Sequence, residues 1–151
     1  MDGMRVTRLT SAAQPQLAEA AELLDQYRQH YGANPAPDVV AEWMRDQVTS
    51  ARVRIYVADE SLGICTVAVV PAALTLRTVW LIRDLYVPPS QRRQGVARAL
   101  LSAVADDARS AGAHRLSLQT ETANVRAIDL YAKSGFTALT DVTLMDSVLP
   151  S

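Results

Sequence analysis

The run Leu85-Tyr86-Val87-Pro88-Pro89-Ser90-Gln91-Arg92-Arg93-Gln94-Gly95-Val96-Ala97-Arg98 reads as an apolar strand, a proline-marked turn and the opening of a helix. That order suits an anion. The first N–H groups of a helix have no partner within it, and the helix dipole adds partial positive charge at the same end, so a strand-to-helix turn can receive a phosphate. Gly95 and Ala97 leave room for close approach of a ligand to the main chain. Arg92, Arg93 and Arg98 bring formal positive charge to a helix end that ordinarily favours acidic side chains, a local misfit that an anionic ligand would resolve through charge-assisted hydrogen bonds. Taken alone, Arg92-x-x-Gly95-x-Ala97 also describes a solvated surface turn. Its weight comes from the apolar strand before it and the stripe Val96, Leu100, Leu101, Val104 and Ala108 after it.

Other residues able to do chemistry are few. Asp84 and Arg83 interrupt the apolar run Val79 to Val87. Because neighbouring strand residues point to opposite faces, both can face one ligand only across a bulge, and an ion pair between them is the structural alternative. Tyr131 is either a proton donor or one more member of a helical apolar stripe with Ile128. Asn124 stands where a helix N-cap is wanted. Tyr27, Tyr31, His30, Trp43 and Trp80 are candidates to line a pocket, with Tyr27 and Tyr31 foremost. The single cysteine, Cys65, lies inside the apolar run Ile64 to Val70, so an internal disulfide is impossible and a buried thiol is expected. The two histidines, His30 and His114, have no metal-ligand spacing, and no metal is expected.

The elements that must position these residues follow from periodicity. A short strand is predicted at about residues 5–9, and a helix at about 11–31 with Leu17, Ala20, Ala21, Leu24 and Tyr31 on one face. A second helix carries the stripe Val40, Trp43, Met44 and Val48, with Asp38 in its first turn. Val53, Ile55 and Val57 alternate as a strand, and Ile64 to Val70 and Val79 to Val87 read as central strands covered on both faces. The order then becomes helix (94–111), strand (115–120), helix (124–134) and an alternating tail around Val142, Leu144 and Val148. This is a mixed α/β layout. At 151 residues, 49% of them hydrophobic, the chain is expected to form one domain over 1–151.

The segment from Val79 to Ala97 resembles motif A of the GNAT superfamily of acyl-CoA N-acyltransferases, whose signature is Arg/Gln-x-x-Gly-x-Gly/Ala. Thr122-x-Asn124-x-x-Ala127-x-x-Leu130-Tyr131-x-x-x-Gly135-Phe136 is similar to that family's next block. More weakly, Tyr27-Arg28-Gln29-His30-Tyr31-Gly32 followed by Asp38 resembles members acting on small amines or polyamines. The resemblance implies a central mixed, mostly antiparallel sheet of six to seven strands, splayed at strand four and flanked by about four helices. It implies acetyl-CoA as cosubstrate, with main-chain groups of Leu85, Tyr86 and Val87 meeting the acetyl group and pantetheine arm. The N–H groups of Arg93, Gln94, Gly95, Val96, Ala97 and Arg98 would wrap the pyrophosphate, and Asn124 would bond the pantetheine chain.

Direct attack of an amine on a thioester requires orientation, carbonyl polarisation and management of two protons, and no nucleophilic side chain. An alkylamine with a pKa near 10.4 must lose a proton to attack at pH 7, at a cost of roughly 4 to 5 kcal/mol. Many relatives use a strand-four glutamate or a water relay, and the polyamine-type members carry an acidic pair. Here that pair reads Arg83-Asp84, which leaves Asp84 as the available base and argues against a plain polyamine if Arg83 faces the pocket. The resemblance places Tyr131 as general acid to the leaving thiolate, and Tyr27 and Tyr31 on the amine side.

The expected activity is therefore N-acetylation of a primary amine of a small molecule. Acetylation of a protein N-terminus or lysine, and acyl-CoA binding without catalysis, are the alternatives. A formal charge of -1 provides no field to draw in nucleic acid or anionic membrane. Without a signal-like segment or a long apolar span, the expected location is cytoplasmic, and the resemblance implies a homodimer.

Overall fold

A computed structural model describes residues 4–151. By contact the chain falls into two compact units, one running to Gln119 and the other comprising Thr120–Ser151. The first begins with strand β1 (Val6–Arg8), followed by helices α1 (Gln16–His30) and α2 (Pro37–Ser50). Strands β2 (Val53–Ala58), β3 (Gly63–Ala72) and β4 (Arg77–Tyr86) come next, then helix α3 (Val96–Ser110) and strand β5 (Arg115–Leu118). The second unit holds α4 (Val125–Lys133). Among the described residues no helix is long and apolar enough to cross a membrane.

The sheet runs in the order β1-β2-β3-β4-β5, antiparallel throughout except that β5 lies parallel to β4. It is the mixed, mostly antiparallel sheet with four helices that was expected, with five strands among the described residues where six to seven were expected. The missing strands are those of the tail. Val142, Leu144 and Val148 alternate, but they stay exposed and join no ladder. Alternation tells which face a strand would bury; forming it also requires a partner edge.

Period-two alternation divides the sheet residues between two layers. Ile55, Val57, Ile64 and Tyr86 pack with Leu17, Ala20, Leu23 and Leu24 of α1 and Val40 and Met44 of α2. The opposite face is covered by α3, whose stripe Val96, Leu100, Leu101, Val104 and Ala108 is buried as expected. Tyr56, on that face, donates its hydroxyl to Asp107 of α3 at 2.7 Å; burial, with help from this carboxylate, pushes the phenol's pKa well up.

Gly63 permits the close approach of α3. A Cβ at this position would stand 2.8 Å from Val96 Cγ1 and 3.1 Å from Leu100 Cδ1. Valine is stiff at χ1 and both neighbours are buried, so the clash has no easy outlet. Gly63→Ala is expected to destabilise the fold by about 1–3 kcal/mol, measured as a lower urea midpoint at unchanged m-value.

Candidate active site

The turn between β4 and α3 is built to present main-chain N–H groups. After Pro88, a single turn of 3-10 helix (Pro89–Gln91) leads into Arg92, and Arg92 Nε donates to the carbonyl of Val87 at 3.0 Å. Arg93 and Gly95 both take left-handed backbone conformations, with φ of 67° and 80°. For a non-glycine residue this costs roughly 1–2 kcal/mol, and successive N–H groups in such turns converge on a common concavity suited to an anion. Gly95 is the N-cap of α3 and has no side chain with which to cap the helix. Arg92, Arg93 and Arg98 are all exposed around this end. The helix starts at Val96, two residues later than the expected 94, because these left-handed residues belong to the turn.

The strand feeding this turn has an open edge. β4 pairs with β5 only from Val79↔Arg115 to Ile82↔Leu118, yet it continues along β3 to Tyr86. Residues 83–86 therefore lie past the end of the β5 ladder. The β5 ladder thus ends short of Leu85 and Tyr86, on the strand where a splay was expected.

The same strand carries a bulge. Thr66 faces Asp84 while Val67 faces Ile82, which leaves Arg83 as the extra residue. The slip reverses the side-chain parity of β4. Trp80 and Ile82 share the α3 face with Val67 and Val69, whereas Asp84 and Tyr86 share the α1/α2 face with Thr66 and Ile64. Arg83 is exposed. Asp84 accepts a hydrogen bond from the Thr66 hydroxyl, which fixes the carboxylate.

Asp84 lines a cleft of about 390 Å³ with Leu24, Tyr27, Arg28, Val39, Val40 and Trp43. Arg83 is not among its walls. Tyr27 is held between aromatic neighbours, its ring 5.2 Å from Tyr31 and 5.7 Å from Tyr86. Tyr31 lines an adjoining hollow with Tyr27, Arg28 and Ala33. The rim depends on Asp25, a buried carboxylate that accepts from the Ala36 N–H at 3.0 Å, from Gln29 Nε2 and from Arg28 Nη1. These bonds tie the α1–α2 loop back onto α1. Asp25 and Arg28 escaped the sequence reading because a charged residue on a helix usually marks a solvated face.

Trp80 does not line this cleft. It is wholly buried on the other face, with the Arg54 guanidinium carbon 4.4 Å from its ring centroid. Trp43 does line it and is 42% exposed. Cys65 is buried, and desolvation, with a smaller contribution from the Asp84 charge, pushes its thiol up to about 12. A thiol so shifted is no nucleophile at neutral pH.

In the second unit, Asn124 caps α4, its side-chain oxygen accepting from the Ala127 N–H at 3.2 Å. Tyr131 meets Phe136 edge-on with ring centroids 5.9 Å apart. Thus Asp84 and Tyr86 meet Tyr27 and its neighbour Tyr31 in the first unit, which also holds the 92–98 turn, and Asn124 and Tyr131 belong to the second.

Over residues 17–136 the chain matches the acetyltransferase (GNAT) family. It is 29% identical over 122 residues to an uncharacterized N-acetyltransferase, YhfO, of Bacillus subtilis (strain 168), covering 79% of this chain and 82% of that protein. A solved structure of a probable acetyltransferase superposes with a TM-score of 0.87 at 28% identity, over 98% of this chain and 99% of that one. An aminoglycoside acetyltransferase, meta-AAC0020 from an uncultured soil metagenomic sample, solved in complex with sisomicin, has the same fold, with a TM-score of 0.81, 20% identity and 97% of each chain covered.

Proposed function

The chain belongs to the GNAT family of acetyltransferases, and from that premise we propose that it transfers the acetyl group of acetyl-CoA to a primary amine of a small molecule by direct attack. The observation that carries the acceptor side is the bulge at Arg83, which turns Asp84 into an aromatic-walled cleft. The matched span includes residues of both compact units, which supports treating the chain as one catalytic domain.

Acetyl-CoA, when bound, supplies an activated thioester. The glycine-capped start of α3 fits its diphosphate: the N–H groups of Arg93 to Arg98 donate to it, and the exposed Arg92, Arg93 and Arg98 compensate its charge. Main-chain groups of Leu85, Tyr86 and Val87, at the end of β4 and just beyond it, orient the acetyl end and polarise its carbonyl. Asn124, besides capping α4, bonds the pantetheine arm.

Asp84, held by Thr66, takes the amine's proton directly or through one water. Tyr27 and Trp43 present aromatic faces that attract an ammonium group on its way into the cleft, and Tyr31 extends the wall. Tyr131 gives a proton to the departing thiolate. Arg83, exposed and outside the cleft, does not repel the incoming amine. That placement weighs against acyl-CoA binding without catalysis.

Release of free thiol from acetyl-CoA tests the proposal against a panel of small primary amines and of peptides with free N-termini or lysines. Small amines are expected to be acetylated with the higher kcat/KM. Acetylation of peptides alone would overturn the small-molecule assignment, and thiol release with none of the compounds would overturn the catalytic one.

A further inference from the structure

We infer that the acceptor carries a carboxylate as well as its amine, on an apolar body, and that Arg28 binds this second group. The inference rests on the proposed amine acetylation and specifies the substrate class of the same cleft.

The walls hold one charge of each sign. Asp84 is the acid and Arg28 the base, and Leu24, Val39, Val40, Tyr27 and Trp43 supply the rest of the surface. In the adjoining hollow Arg28 is again present and no acid is, its other walls being Tyr27, Tyr31 and Ala33. A polycationic acceptor would meet a single carboxylate and an opposing guanidinium. A zwitterion finds a partner at each end, and its hydrocarbon or aromatic part covers the apolar wall.

Arg28 is set up for this task by its own surroundings. Its Nη1 donates to Asp25 Oδ1 at 3.4 Å, while its side chain stays 40% exposed. Asp25 is itself pinned by the Ala36 N–H and by Gln29. A guanidinium has five N–H donors in a fixed fork, so one bond to Asp25 holds the group in place and leaves others for a ligand carboxylate. The transfer step is unaltered: the ammonium gives one proton through Asp84 to solvent, the nitrogen forms the new C–N bond as the C–S bond breaks, and the second proton lost by nitrogen replaces the one that Tyr131 gives to the thiolate. Arg28 binds the substrate and takes no part in the proton transfers.

Matched acceptors separate this inference from the activity on which it rests. Leucine, phenylalanine and tryptophan would be compared with their decarboxylated amines and their carboxamides, together with β- and γ-amino acids that vary the spacing of the two groups. Thiol release would be measured for wild type and for the Arg28→Gln and Arg28→Lys variants, each checked for an unchanged melting temperature. In wild type, at least one acid series is expected to exceed its carboxylate-free counterparts by about 10- to 100-fold in kcat/KM. Arg28→Gln should erase that preference by raising KM for the acid series about 10- to 100-fold more than for the carboxylate-free amines, and Arg28→Lys should restore part of the difference. Equal or faster turnover of the carboxylate-free amines by wild type would overturn the inference and leave amine acetylation standing. So would a preference that survives Arg28→Gln. Thiol release with none of these acceptors would overturn both.

Discussion

Replacing Asp84 by asparagine is expected to lower kcat at pH 7 by about two to three orders of magnitude and to leave acetyl-CoA affinity unchanged. The substitution preserves shape, and the Thr66 hydroxyl still finds an amide oxygen to which it can donate. What is lost is the negative charge and the site that takes the proton. An alkylamine is almost wholly protonated at pH 7, and without Asp84 the roughly 4 to 5 kcal/mol of deprotonation falls to solvent. As pH rises toward the amine's own pKa the free base becomes abundant, so the deficit of the variant should shrink between pH 7 and 9. Steady-state thiol release across that range checks both the size and the slope of the effect. An asparagine variant as fast as wild type at pH 7 would remove Asp84 from the proton path.

Tyr131→Phe is the second large effect, a fall in kcat of about 100-fold with the dissociation constant for acetyl-CoA nearly unchanged. Phenylalanine keeps the edge-on packing against Phe136, whose ring centroid lies 5.9 Å from that of Tyr131, so the local fold has reason to survive. Only the hydroxyl goes. If the hydroxyl protonates the leaving thiolate, the penalty should ease for an acyl donor whose thiol has a lower pKa. Calorimetry for binding and thiol release for turnover separate the two quantities, and a normal rate would confine Tyr131 to packing.

How much of this was legible in the sequence depends on how local each feature is. The stripe of α3 was read residue for residue, because 3.6-residue periodicity and burial on one face are properties of the segment itself. The strand-to-helix turn was visible for the same reason, since a strand, a glycine and a helix start are consecutive. A bulge at Arg83-Asp84 was considered, but the pair of letters gives no sign of which residue is extra, and that depends on the register with Thr66 and Val67 across the ladder. Without it the side of the sheet that Asp84 faces cannot be assigned.

The cleft was harder still. Leu24, Val39 and Val40 are ordinary apolar helix residues, and an apolar wall facing a cavity has the same sequence pattern as one facing a core. Trp80 shows the converse, an aromatic that suggested a pocket and is buried under α3's side of the sheet. Asp25 looked like a surface charge, yet it is buried because the loop before α2 returns to it through Ala36. In the tail, the alternation of Val142 and Leu144 was real but had no edge to join among the described residues. Each of these depends on what another part of the chain does, and periodicity carries no record of that.

The most direct test of the whole arrangement is a crystal structure with acetyl-CoA bound. The account predicts the diphosphate within hydrogen-bonding distance of the N–H groups of residues 93–98, and the acetyl group beside the open edge of β4 at Leu85 to Val87. A diphosphate held elsewhere on the molecule, with that turn empty, would contradict it.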